Sequence, residues 1–261
     1  MSDQMLDVAT AIRTFPGGRS YNEDLAAVEV VAERYCCVLS DGAGGHSNGA
    51  LASRTAVDSV VAGFKAAPPA APDAVAALIV AAHDAVIAAQ QTDTGDGHPM
   101  HATLVTMIVD RAAGTALWGH VGDSRLYHIS HGAVVAVTRD DSVVQWMVDS
   151  GYLQQEQAAS HPNKNQLLAA LGIEGDLEPK VLEQPQPLDD GDAYLLCSDG
   201  WWEMLTNTDI EQCLFDARDV GHWLDSMAKL VVDRAKPSHD NFTALAVWIG
   251  DPSTTTRISI T

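Results

Sequence analysis

Residues Tyr35–Gly49 read YCCVLSDGAGGHSNG, and the fold turns on this stretch. An apolar run ends at Asp41, four of the next eight residues are glycine, and a helical pattern starts near Ser47. A short, bounded apolar run reads as a buried strand. Glycines directly after it let the backbone take positive φ or approach another segment closely. A carboxylate at the mouth of a buried strand is costly unless it is paired or coordinates a metal. Asp41 is therefore either a metal ligand or, because Asp-Gly is a common turn pair, a turn former.

Working outward, Leu6–Phe15, Ala26–Glu33 and Arg34–Ser40 read as strands on the N-terminal side. On the other side come two helical patterns. Ala52, Ala56, Val60 and Phe64 share one face of the first, and Val75, Leu78, Ile79, Ala82 and Val86 share one face of the second. The runs Ala102–Val109, Thr115–Val121, Arg125–Ile129 and Ala133–Thr138, divided by turn residues, give an antiparallel meander. Short helices follow over Asp140–Leu171, then strands at Val181–Leu182 and Ala193–Ser198. Val220, Trp223, Leu224, Met227, Leu230 and Val231 mark the strongest amphipathic helix, and Phe242–Ile249 is a strand apolar on both faces, hence interior. Strands grouped apart from helices, without regular alternation, predict an α+β fold of two stacked antiparallel sheets flanked by helices, an α/β/β/α sandwich. No internal repeat or domain boundary is visible, so 1–261 reads as one domain with a loose tail at 251–261.

The chain has 261 residues and a formal charge of −20, from 35 acidic and 15 basic residues. That balance argues against nucleic acid or an anionic membrane as partner, since both require clustered Lys and Arg. The start, MSDQMLDV, lacks the basic-then-apolar pattern of a signal peptide. The alanine-rich region Lys65–Gln91 is interrupted by Pro68, Pro69, Pro72, Asp73, His83 and Asp84, so no apolar run of the ~18–20 residues a spanning helix needs is expected. Cys36, Cys37, Cys197 and Cys213 have no CxxC spacing and read as buried free thiols. A cytoplasmic monomer is the expectation.

Four carboxylates share one local pattern, each abutting an apolar strand and a Gly, Ser or Asn: Asp41 in VLSDG, Asp123 in GHVGDSR, Asp199 in LLCSDG and Asp240 in SHDNFTALAV. A fifth group, Asn22-Glu23-Asp24, follows the first strand. Oxygen-only donors select hard cations such as Mg²⁺ and Mn²⁺. Two such ions can share a water, lower its pKa and clamp an in-line displacement at phosphorus. Arg19, close to the fifth group, suits bidentate capture of a phosphate. Phosphate ester hydrolysis is the chemistry implied. The bland readings are a hairpin with an internal ion pair for Asp123-Ser-Arg125 and plain core packing for Trp201-Trp202. A calcium loop at Asp93–Gly97 fails because Leu104 stands where the bidentate Glu is required.

Taken together, the sequence resembles the PPM family of metal-dependent serine/threonine protein phosphatases, the type-2C-like group, in its compact bacterial form. Arg19-Ser-Tyr-Asn-Glu-Asp24, Asp41-Gly-Ala-Gly-Gly-His46, Gly122-Asp-Ser-Arg125, Ser198-Asp-Gly200 and Asp240-Asn241 match the family's motifs in order and approximate spacing, over about Asp7 to Gly250. The resemblance implies that Asp41 bridges two metal ions and that the Gly42 carbonyl ligates one of them. Asp199 and Asp240 would ligate the other, and Asp123 with Asp199 a third. Glu23 and Asp24 would hold metal-bound waters, and Arg19 the phosphate. Residues 140–172 resemble the mobile flap beside the active site. The implied partners are phosphorylated proteins and a cognate serine/threonine kinase system. Eukaryotic members carry a His directly after the central Asp-Gly; Ala43 stands there in this chain, leaving the proposed leaving-group acid unfilled.

Two other functions compete. A dinucleotide-binding turn would need glycine at Ser47 and would set Asp41 against the pyrophosphate. A phosphatase-shaped binding module of weak activity would have little use for so many desolvated carboxylates.

Overall fold

The computed structural model of the chain describes residues 5–43, 47–92 and 100–250. The expected loose tail, His46 and the Asp93–Gly97 loop lie outside these residues. In chain order the first half comprises β1 (Val8–Phe15), β2 (Asp24–Val31), β3 (Arg34–Ala43), α1 (Ser47–Ala66) and α2 (Pro72–Thr92). The meander follows: β4 (His101–Ala102), β5 (Leu104–Asp110), β6 (Thr115–Val121), β7 (Arg125–Ser130) and β8 (Ala133–Val137). Then come α3 (Val143–Asp149), α4 (Gln155–Ala158), β9 (Lys180–Val181), β10 (Gln186–Pro187) and β11 (Ala193–Cys197). The chain finishes with α5 (Asp199–Trp202), α6 (Asn207–Asp216), α7 (Val220–Arg234) and β12 (Phe242–Ile249).

Among the described residues every strand pairing is antiparallel, in two sheets. One runs β1-β12-β11-β7-β8; the other runs β10-β6-β5-β3-β2, with β4 also on β3 and β9 on β6. The two-residue period of a strand builds the layers. On β3, Cys36 and Val38 pack under α1 and α2, while Cys37 and Leu39 point between the sheets. On β12, Ala244, Ala246 and Trp248 meet α5–α7, while Leu245, Val247 and Ile249 fill the inter-sheet core. The four layers are thus helix, sheet, sheet, helix, as the sequence pattern predicts.

Several elements depart from the sequence reading. The run expected at Ala102–Val109 is broken at Thr103 into β4 and β5. β1 starts at Val8, and the short strand read at Val181–Leu182 is Lys180–Val181. α5 and α6 have no counterpart in the reading, because α6 is set by a polar signal: Thr206 caps it by accepting from Asp209 N–H, and the Asp209 side chain bonds back. His83 and Asp84 do not interrupt α2, and Pro72 sits at its first turn, where a missing N–H costs nothing. By length and mean hydropathy α2 is the one described helix that could cross a bilayer. Here Val75, Ile79, Ala82 and Val86 are buried against α1 and the sheet, which accounts for its apolar face. All four cysteines are buried and free.

Candidate active site

The sandwich brings one end of six strands together. Cys197 pairs with both Ala244 and Arg125, so the segments following β11, preceding β12 and preceding β7 share that end. Phe15 pairs with Phe242, which adds the loop after β1. Asp24, the first residue of β2, lies directly opposite Asp41 on β3. Asp123, Asp199 and Asp240 sit on the connections of this same end. The register thus collects the five carboxylates from five distant segments.

Backbone contacts too close for any side chain hold the rim. A Cβ on Gly42 would stand 2.0 Å from the Gly49 carbonyl oxygen, and one on Gly200 would stand 2.1 Å from that of Asn241. These glycines are required by close approach of two chain segments, one of the two roles the sequence offers for the glycines after Asp41. Asn241 staples the loop after β1: its Oδ1 accepts from Glu23 N–H at 2.9 Å, and its Nδ2 donates to the carbonyls of Pro16 (2.9 Å) and Tyr21 (2.7 Å).

Electrostatics mark this end as costly. Burial, then the charges of Asp24, Asp199, Asp123 and Asp240, hold the Asp41 carboxyl well above the usual range. Burial, then Asp123, Glu203, Asp240 and Asp24, do the same to Asp199. Asp24 is pushed up to about 6, chiefly by burial, with hydroxyl hydrogen bonds from Ser198 and Thr243 working the other way. Asp123 is pushed up to about 7 by burial and by Asp140. Ser198 Oγ donates to Asp24 Oδ2 at 2.8 Å, but the buried Asp24 Oδ1 meets no donor among the described residues. Like-charged carboxylates crowded at this cost, with an orphaned oxygen among them, fit a pair of hard divalent cations. No three His, Cys, Asp or Glu side chains among the described residues are drawn into a closed cage. Asp240 accepts from Arg19 Nη2 at 2.8 Å and from Asn241 N–H at 2.8 Å. Arg19 is about two-fifths exposed and stands at the rim.

The chain's match to the model for protein phosphatase 2C runs from residue 18 to residue 240. The chain belongs to the protein phosphatase 2C family. The serine/threonine phosphatase stp of Listeria monocytogenes is 31% identical over 88% of this chain and 90% of its own. The Streptococcus agalactiae serine/threonine phosphatase structure superposes with a TM-score of 0.83 at 26% identity, covering 93% of this chain and 99% of that one. The catalytic domain of the phosphatase PstP, solved with two manganese ions, gives 0.77 at 28% identity over 94% and 100%. These family structures share the pair of antiparallel sheets flanked by helices.

Within this phosphatase fold the structure revises some local readings. Arg125 does not pair with Asp123; its fork grips Asp140, at 2.8 and 2.7 Å, where the expected flap begins. The face of that guanidinium lies 3.4 Å from the ring centre of Trp202, whose indole N–H donates to the Asp123 carbonyl at 3.0 Å. Trp201 is fully buried core, as the packing reading had it, whereas Trp202 buttresses the site. Asp140, Trp202, Thr103 and Ser124 carry no local signal, because their partners are far away in sequence. Residues 140–172 fold back so that Leu168 N–H donates to Asp141 O at 2.7 Å and Leu171 pairs with Ala102.

Proposed function

We propose that the chain is a metal-dependent protein serine/threonine phosphatase, releasing phosphate from phosphoserine and phosphothreonine esters. The observation that carries this is the convergence of Asp41, Asp199, Asp240, Asp123, Glu23 and Asp24 with Arg19 at one end of the sandwich. Asp41, the Gly42 carbonyl, Asp199 and Asp240 would hold two Mn²⁺ or Mg²⁺ ions, and Asp123 with Asp199 a third. Such a pair supplies a water of lowered pKa and a clamp on the in-line displacement at phosphorus. Glu23 and Asp24, buried beneath the rim, offer acceptors that orient the waters around it. Arg19 binds the phosphate oxygens through its fork, with the geometric specificity of bidentate pairing. Asp240 is its present partner, so the phosphate-binding and ion-holding roles would meet at one carboxylate.

The Ala43 methyl has no proton to give, and His239 Nε2 is engaged with the Gly200 carbonyl at 2.7 Å. We assign the leaving-group proton to water. The whole chain acts as one catalytic domain with 140–172 as a flap, working as a cytoplasmic monomer on the products of a serine/threonine kinase. The excess of acidic residues suits phosphoprotein segments rich in Lys and Arg better than acidic ones. The test is phosphate release from phosphoserine, phosphothreonine and phosphotyrosine peptides with Mn²⁺ and with EDTA. Release from the first two only, abolished by EDTA, is expected. No release at any Mn²⁺ concentration would leave a binding module and overturn the proposal.

A further inference from the structure

The single residue separating β4 from β5 is hydrogen-bonded directly to the backbone of the candidate site. Thr103 N–H donates to the Asp41 carbonyl at 2.8 Å, and Asp41 N–H donates to Thr103 Oγ1 at 3.1 Å. Ser40 Oγ donates to the Thr103 carbonyl at 2.6 Å. On its other side, Thr103 Oγ1 shares a 2.7 Å hydrogen bond with Ser124 Oγ, and Ser124 directly follows Asp123. Gly122, at φ +94°, lies so close that a Cβ there would stand 2.7 Å from Thr103 Cγ2. Thr103 and Ser124 are both buried. A hydroxyl in the wall between two carboxylate-bearing segments has one proton to give and lone pairs to accept with, so it can join both at once.

We propose that Thr103, through Ser124, is a positioning residue that fixes the Asp41 backbone against the Asp123 turn. It thereby sets the spacing between the two-ion core and the third-ion carboxylate. The inference rests on the metal-centre reading above and concerns affinity for the ions rather than the chemical step. Repulsion among ionised carboxylates opposes their gathering, so a tie between their backbones keeps them within reach of common cations. Outer hydrogen-bonding partners of metal ligands commonly contribute ten- to a hundredfold in affinity.

The experiment compares Thr103→Val, Thr103→Ser and Ser124→Ala with the unaltered protein. Each is stripped with EDTA and titrated with Mn²⁺ by calorimetry, then assayed on a phosphothreonine peptide. Thr103→Val keeps the branched shape and loses the hydroxyl; its Mn²⁺ affinity should fall about tenfold. Thr103→Ser should stay within about threefold of the unaltered protein, and Ser124→Ala should weaken binding by about threefold. A fourth variant combining Thr103→Val with Ser124→Ala, the double variant, should be no weaker than Thr103→Val, since both changes remove one shared hydrogen bond. Half-saturating Mn²⁺ for turnover should shift by the same factors, with kcat at saturating Mn²⁺ little changed. Unaltered affinity in Thr103→Val, failure of Thr103→Ser to restore it, or fully multiplying effects in the double variant would overturn the proposal. If Thr103→Val does not fold, unaltered affinity in Ser124→Ala overturns it. Mn²⁺ binding without phosphate release in the unaltered protein would instead count against the enzymatic function alone.

Discussion

Asp24→Asn should make the metal-free protein more stable while impairing what the site does. Asp24 is buried, faces Asp41 across the β2–β3 ladder, and is pushed from its ordinary 3.8 to about 6. Above pH 6 the folded chain must carry this charge against burial or hold a proton that the unfolded chain would release. A rise of that size corresponds to a destabilisation of about 3 kcal/mol. Asparagine removes the charge and still accepts from Ser198 Oγ through its carbonyl, at 2.8 Å in the native pair. About 1 kcal/mol is lost as that bond becomes neutral, leaving a gain of about 2 kcal/mol. For a domain of this length the gain raises Tm by about 4–8 °C. The sign depends on pH. With the folded-state pKa raised, the destabilisation is complete above about 6, declines below it and vanishes near 4, so the advantage of asparagine should disappear at pH 4.5. Thermal melting in EDTA at pH 8 and pH 4.5 measures this, and Mn²⁺ should stabilise the variant less than the unaltered protein. A metal-free Tm at pH 8 equal to or below that of the unaltered protein would refute the reasoning.

Asp41→Asn and Asp199→Asn should each fold and lose at least about a thousandfold in phosphopeptide turnover; retention of a tenth of the activity in either would remove it from the centre. Gly200→Ala would drive a Cβ to 2.1 Å from the Asn241 carbonyl oxygen, a backbone atom that cannot swing aside. It should cost about 2–3 kcal/mol by thermal melting, and Mn²⁺ binding should weaken with it, because Asp199 and Asp240 flank the contact. Arg125→Lys keeps the charge but forfeits the fork on Asp140 and the stacking on Trp202, so a loss of about 2 kcal/mol, or 4–8 °C in Tm, is expected.

The layers were legible from the apolar pattern along each element. β12 reads FTALAVWI, apolar on both faces, and is interior to a sandwich with a helical layer on one side and a sheet on the other. The candidate-site carboxylates could be picked out because each closes or opens an apolar strand beside a small turn residue, a local pattern repeated down the chain. Their convergence could not, since it depends on registers such as Cys197 with Arg125 and Ala244. The same holds for the second ring of residues. Thr103 lies inside a run that looks like one continuous strand, and its role comes from partners at Ser40, Asp41 and Ser124. Asp140 bonds the fork of Arg125 and Trp202 stacks on its face, 15 and 77 positions away along the chain. Such contacts have no sequence period, and only the assembled fold displays them.

Anomalous scattering from crystals of the unaltered protein grown with Mn²⁺, recorded at the manganese edge, tests the central claim most directly. Two adjacent peaks beside Asp41, one of them also against Asp199 and Asp240, are the expected result. Peaks confined to other carboxylates, or an empty map between these three at saturating Mn²⁺, would contradict it.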